Sequence, residues 1–159
     1  MGTGSGIIGI VAASKGANVI AVDINQEAIN CAKENAKNNS VENNISFFFG
    51  NLFSPFENSQ QKFDYIFFNP PFYPKPVTNT TQHAWNAGED FETIQRFANE
   101  AKQFLSSGGK IYFIISSDVD VERICSFFKK NNFTTDLVTT KHLFFEKLFV
   151  YEVNPVQEK

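Results

Sequence analysis

Cysteine is nearly missing from this chain: 159 residues carry two, Cys31 and Cys125. Two thiols this far apart form neither a disulfide framework nor a zinc spacing. Each falls in a helical pattern, so both are expected to be buried free thiols in a reducing compartment. Arginine is equally scarce, with only Arg96 and Arg123, which leaves few bidentate clamps for phosphate. The formal net charge of −3 argues against a strongly electrostatic nucleic-acid binder, although a total says nothing of local patches. The two histidines, His83 and His142, lack partners at ligand spacing, and no metal is expected. No apolar run approaches membrane-spanning length. The opening residues have no basic start of the secretory kind, and Gly6 breaks the myristoylation pattern. No membrane partner is expected, the location expected is cytoplasmic, and the sequons at Asn38, Asn79 and Asn132 are read as chance matches.

Phenylalanine is abundant instead, with nineteen residues. They are expected to fill core positions that other chains give to leucine. The length suits one domain spanning residues 1–159. Apolar runs alternate with helical patterns. Helices are predicted over 7–16, from Asn25 to Ser40, over 91–105 and over 119–130. Strands are predicted over 18–23, 45–49, 64–68, 110–115, 133–139 and 145–153. Ser107-Gly108-Gly109 is read as the stop of the third helix, and Ser116-Ser117-Asp118 as a strand end that caps the fourth. Such alternation predicts an α/β fold, a doubly wound open sheet of Rossmann-like type with helices on both faces.

The chain opens on a glycine-rich loop, Gly2-Thr3-Gly4-Ser5-Gly6, and Asp23 closes the next strand. Glycines let a ligand touch the backbone, and the helix that follows presents free N–H groups and a partial positive charge. Asp23 is placed to accept hydrogen bonds from ribose hydroxyls. The loop alone stays ambiguous: Gly2, Gly4 and Gly6 match a G-x-G-x-G pattern, while Gly4, Gly6 and Gly9 match the dinucleotide fingerprint G-x-G-x-x-G. A loop of this kind ordinarily follows a strand. The expectation is therefore a sheet without its first, central strand, in a chain truncated at the amino terminus.

The apolar run Tyr65-Ile66-Phe67-Phe68 ends in Asn69-Pro70-Pro71-Phe72. This motif resembles the N-P-P-[F/Y] signature of class I S-adenosylmethionine-dependent N-methyltransferases, and the element order is similar to theirs along nearly the whole chain. It is closest in kind to the HemK-type, release-factor glutamine methyltransferases. Ala84-Trp85-Asn86-Ala87-Gly88 is more weakly similar to a stretch that follows the motif in the eukaryotic and archaeal branch. The resemblance implies that Gly2, Thr3, Gly4 and Gly6 line the methionine end of S-adenosylmethionine. It further implies that Asp23 takes the ribose, that Ile24 packs on adenine, and that Asn51 and Leu52 also border the cofactor, with Asn69 facing it. Asn51 stands where that family usually has aspartate, and its amide oxygen can still accept from the adenine amine.

The chemistry suits these residue types. An amide nitrogen is a poor nucleophile because its lone pair is delocalised. Two acceptors, the Asn69 side-chain oxygen and the Pro70 carbonyl, could hold both N–H bonds and stabilise the developing positive charge. Phe72 could pack on the planar group, and Pro70 and Pro71 stiffen the backbone. The partner implied is a protein glutamine, as in a release factor. The same grip suits adenine N6 or guanine N2 in nucleic acid. Two further readings stand beside these: an inactive cofactor-binding module, and a nicotinamide oxidoreductase, which would explain the glycine loop but not Asn69-Pro70-Pro71-Phe72. Fold alone does not separate them, and nothing in the sequence sets the oligomeric state.

Overall fold

The computed structural model describes residues 1–76 and 85–156. The chain divides into two compact units, Met1–Asn58 and Ser59–Lys159. The first unit runs α1 (Ile7–Ser14), β1 (Val19–Asp23), α2 (Gln26–Asn38) and β2 (Ile45–Phe49). Strands β1 and β2 are parallel, with Val19 opposite Ile45 and Asp23 opposite Phe49. Ile10 and Ala13 of α1 and Ala36 of α2 pack with Ala21 and Ile45 in one apolar cluster. The expected cap is in place: the Asn25 side chain accepts from the Glu27 N–H at 2.9 Å, satisfying one of the free donors at the start of α2.

The second unit runs β3 (Phe63–Phe68), α3 (Glu92–Ala101), β4 (Leu105–Ser116), α4 (Val121–Lys130), β5 (Phe133–His142) and β6 (Lys147–Pro155). Its sheet has the order β3-β4-β6-β5. The β3–β4 pair is parallel, and the β4–β6 and β5–β6 pairs are antiparallel. Period-2 alternation sends Ile66, Phe68, Ile111, Phe113 and Ile115 to one buried face. Phe97 of α3 lies 4.4 Å from Phe68, and Phe128 of α4 stacks 4.8 Å from Phe113, centroid to centroid. Both helices of this unit thus cover the same face. The opposite face carries Tyr65, Phe67 and Tyr112, stacked 5.6–6.5 Å apart.

Several boundaries differ from the sequence expectations. Helix α3 stops at Ala101, a 3-10 turn follows at Lys102–Phe104, and Leu105 already begins β4. The helical period continues through Leu105, but β3 captures that residue, which pairs with Phe63. Ser107-Gly108-Gly109 is therefore a bulge inside a strand and not a helix stop; Gly108 has φ 77°, a left-handed value suited to glycine. The cap of α4 is Asp120, whose carboxylate accepts from the Arg123 N–H at 2.9 Å, while Ser116 is buried at the end of β4. Strand β6 starts at Lys147, so Phe145 belongs to the turn before it. Cys125 is buried as expected, but Cys31 is exposed, on the outer side of α2. Among the described residues, no helix is long and apolar enough to cross a membrane.

Candidate functional site

The first unit assembles its expected site residues around the end of β1. The Thr3 N–H donates to the Val22 carbonyl at 2.9 Å, and the Gly50 N–H donates to the Asp23 carbonyl at 2.9 Å. The glycine loop, the strand end and the Gly50-Asn51-Leu52 turn are thereby tied into one rim. Asp23 works as its clasp. One carboxylate oxygen accepts from the Gly4 N–H at 2.8 Å and the other from the Asn25 N–H at 2.9 Å. Each oxygen keeps a further lone pair. Ile24 beside it is half-buried.

Two glycines here need to be glycine for different reasons. Gly6 has φ 86°, and a Cβ on it would stand 3.0 Å from Ala32 Cβ, so it sets the close approach of α1 to α2. Gly4 has φ 53°, and a Cβ on it would meet nothing within 4 Å. Gly4 therefore leaves its backbone open to a ligand. Leu52 is buried with φ 53°, a left-handed value uncommon outside glycine. The turn that holds it is closed by the Asn51 N–H donating to Ser54 Oγ at 3.0 Å.

The second unit places Asn69 directly after β3, exposed, with Pro70 buried behind it and Pro71 and Phe72 half-buried. Among the described residues, the Asn69 side chain has no hydrogen-bond partner. The chain beyond is braced. The Tyr73 N–H donates to the Trp85 carbonyl at 3.0 Å, and the Ala87 N–H donates to the Tyr73 carbonyl at 2.8 Å. The Asn86 amide reaches the Pro76 carbonyl at 3.0 Å. Residues 85–87 thus form a short rung beside the Pro-rich segment and steady Phe72, whose ring lies 5.1 Å from that of Tyr73. The sequence marks Asn86 only as part of the weakly similar stretch 84–88 and gives it no role of its own, since no periodicity reveals a latch between two irregular segments. Trp85 is 64% exposed, which rules out a packing role in the core. His83 lies outside the described residues, and His142 ends β5.

Elsewhere in the second unit, a cavity of about 460 Å³ opens between α4 and strands β5 and β6, lined by Val121, Cys125, Thr135 and Tyr151 among others. It contains none of the motif residues. Burial there pushes the Cys125 thiol above its ordinary range, which disfavours the nucleophilic thiolate. Among the described residues, no three His, Cys, Asp or Glu side chains gather as a metal set.

Comparison with known proteins fits this arrangement. The family model described as "Methyltransferase small domain" matches residues 1–144. A Methanocaldococcus jannaschii protein named "Putative protein N5-glutamine methyltransferase" is 37% identical over 156 residues, covering 94% of this chain and 77% of that protein. A release factor glutamine methyltransferase of Bacillus cereus is 37% identical over 138 residues, covering 78% of this chain; the chain spans 48% of its length. Among solved structures, a methyltransferase from Pyrococcus furiosus matches with a TM-score of 0.72 at 19% identity, covering 98% of this chain and 73% of that one. A likeness at that identity speaks for the fold alone, which is the Rossmann-like α/β fold of methyltransferases.

Proposed function

The chain belongs to the methyltransferase small-domain family and is by that membership an S-adenosylmethionine-dependent methyltransferase; we propose that the group it methylates is the side-chain amide of a protein glutamine, with a release factor as the protein. The observation that carries this reading is Asn69. It stands exposed and unbonded among the described residues at the end of β3, backed by a buried proline. Two relatives named for glutamine methylation support the amide as substrate. Cytoplasmic location belongs to the same proposal.

The first unit fits the cofactor. Gly4 leaves open the space that a Cβ would fill, and the left-handed backbone at Gly2, Gly4 and Gly6 folds the loop tightly at the start of α1. In this reading Gly2, Thr3, Gly4 and Gly6 hold the methionine end. Asp23 uses its remaining lone pairs for the ribose hydroxyls, and Ile24, Asn51 and Leu52 border the adenine. The cofactor supplies an electrophilic methyl group on a sulfonium sulfur. The chain's own part is positioning. Asn69 Oδ1 and the Pro70 carbonyl accept the two amide N–H bonds, so the nitrogen lone pair is aimed and charge developing on nitrogen meets two oxygens. Phe72 limits the tilt of the planar amide. Alignment of this kind can contribute up to about 7–11 kcal/mol of barrier reduction.

The test is methyl transfer from radiolabelled donor, offered a purified release factor in one arm and total RNA in the other, with the labelled atom located by mass spectrometry. Label on a glutamine amide nitrogen is expected; label confined to RNA overturns the substrate assignment. Asn69→Ala is expected to lower kcat by about 10²–10³ while S-adenosylhomocysteine affinity stays within about twofold. Wild-type kcat in that variant would defeat the role given to Asn69.

A further inference from the structure

The β5–β6 hairpin ends in three exposed apolar residues. Leu143 is 43% exposed, and Phe144 and Phe145 are 102% and 99% exposed, that is, without cover of any kind. Their rings lie 6.5 Å apart. Single exposed apolar residues need no explanation, but two adjacent bare phenylalanines at a protruding turn mark an interaction surface. The turn is also built to hold its shape. The Leu143 N–H donates to the Glu146 carbonyl at 2.8 Å, and the Ser117 N–H donates to the Lys147 carbonyl at 2.8 Å. Lys147 N–H donates to Ser117 Oγ at 2.9 Å, and the buried Ser116 hydroxyl donates to the Glu146 carboxylate at 2.6 Å. The tip is thus fastened to the carboxyl end of β4.

That end is the edge of the sheet where Asn69 stands. Phe68, the last residue of β3, pairs with Phe113 of β4. Ser116 pairs with Leu148, and His142 with Lys147. At about 3.3 Å per residue and 4.8 Å per strand, the tip lies on the order of 20 Å from Asn69, beyond the same edge. A protein interface of ordinary size buries about 800 Å² per partner and is roughly 30 Å across. An interface of that width lying between Asn69 and the tip spans both, so a protein that presents a side chain to Asn69 is large enough to reach the tip, whereas a free amino acid reaches only the motif.

We infer that Leu143, Phe144 and Phe145 form the docking point for the substrate protein, seated in an apolar recess of that protein about 20 Å from the methylated glutamine, with the exposed Lys141 and Lys147, one on each face of the hairpin, meeting acidic groups beside it. The inference rests on the glutamine reading above. Because it concerns encounter and not chemistry, it moves KM for a protein substrate and leaves kcat alone.

The experiment compares wild type with Phe144→Ser/Phe145→Ser on two substrates, an intact release factor and a short peptide carrying the same glutamine. The double variant is expected to raise KM for the protein about tenfold or more, with kcat and the peptide's kinetics within about twofold. Phe144→Leu/Phe145→Leu, which keeps the apolar bulk, is expected to retain wild-type KM, and Lys141→Glu/Lys147→Glu to raise it in a salt-dependent way. An unchanged KM for the protein in the serine variant, with wild type active on it, overturns the docking point and leaves the glutamine reading intact. A wild type that methylates neither protein nor peptide defeats the glutamine reading, and the docking point with it. Wild type that pellets with anionic phospholipid vesicles through Phe144 and Phe145, without any KM effect, overturns docking in favour of a lipid surface.

Discussion

Gly4 and Gly6 share one loop and a left-handed backbone, yet a methyl group added to each meets different surroundings. At Gly6 the new Cβ stands 3.0 Å from Ala32 Cβ and 3.2 Å from Ala32 Cα. Ala32 is wholly buried on α2, so the contact is relieved only by moving a helix. The left-handed backbone costs a residue with a Cβ about 1–2 kcal/mol, and overpacking adds about 1–3 kcal/mol. Gly6→Ala is thus expected to lose about 2–5 kcal/mol of stability. At Gly4 no atom lies within 4 Å of the added Cβ, and the backbone cost stands alone, about 1–2 kcal/mol. Donor binding separates the pair in another way. The Gly4→Ala methyl occupies the space assigned to the cofactor, and the affinity for S-adenosylhomocysteine is expected to fall at least tenfold, about 1.4 kcal/mol, in a protein that remains folded. Urea unfolding reads the first quantity and calorimetric titration the second. Gly6→Ala no less stable than Gly4→Ala would refute the packing argument. Donor affinity unchanged in Gly4→Ala would refute the placement of the cofactor on this loop.

Three shorter predictions concern the second unit and the thiols. Glu152 takes hydrogen bonds from Lys110, Tyr112 and Asn154, which hold its carboxyl down to about 2, from an ordinary value of 4.5. Between those values the folded chain binds fewer protons than the unfolded one, so this contribution to stability is complete above about pH 4.5 and lost as pH falls through about 2. Glu152→Gln should therefore be less stable than wild type at pH 7, with the gap in urea midpoint closing as pH falls toward 2; a gap that does not vary with pH would show that the carboxylate is not the source. Phe128 is wholly buried between Phe97, Phe113 and Phe133, and Phe128→Ala should cost about 3–5 kcal/mol in chemical unfolding; a loss under 1 kcal/mol would contradict the packing described. A thiol reagent should modify exposed Cys31 rapidly in the native protein and Cys125 only on unfolding; two equal rates would refute it.

Local signals located the elements well because neighbours in sequence dictate them. The Asn25 cap, the β2 run and the glycine loop each depend on a few adjacent residues, and all three stand where their chemistry places them. The errors fall where a distant partner decides. Leu105 continues a helical period, but pairing with Phe63, far away in sequence, draws it into β4. Phe145 reads as a strand residue by propensity, but His142 pairs with Lys147 and leaves it in the turn. Cys31 has apolar neighbours along the chain and still points away from the packed side of α2, where Ile29, Ala32 and Ala36 lie.

Phenylalanine shows the same limit in a form that bears on function. Composition alone assigned the nineteen rings to the core, and ten of them are buried. Little in the dipeptide itself distinguishes Phe127-Phe128, both buried, from Phe144-Phe145, which face solvent, since both are Phe-Phe pairs followed by a charged residue. The difference lies in what stands opposite: a helix face laid on β4 in one case, and in the other a turn that the buried Ser116 hydroxyl fastens at the sheet's edge through Glu146. The grip proposed for Asn69-Pro70-Pro71-Phe72 can be read from sequence because consecutive residues carry it. A surface that recruits the partner is assembled by register, and Ser116 opposite Leu148 is the pairing that puts the bare rings on the side of the sheet where the motif ends.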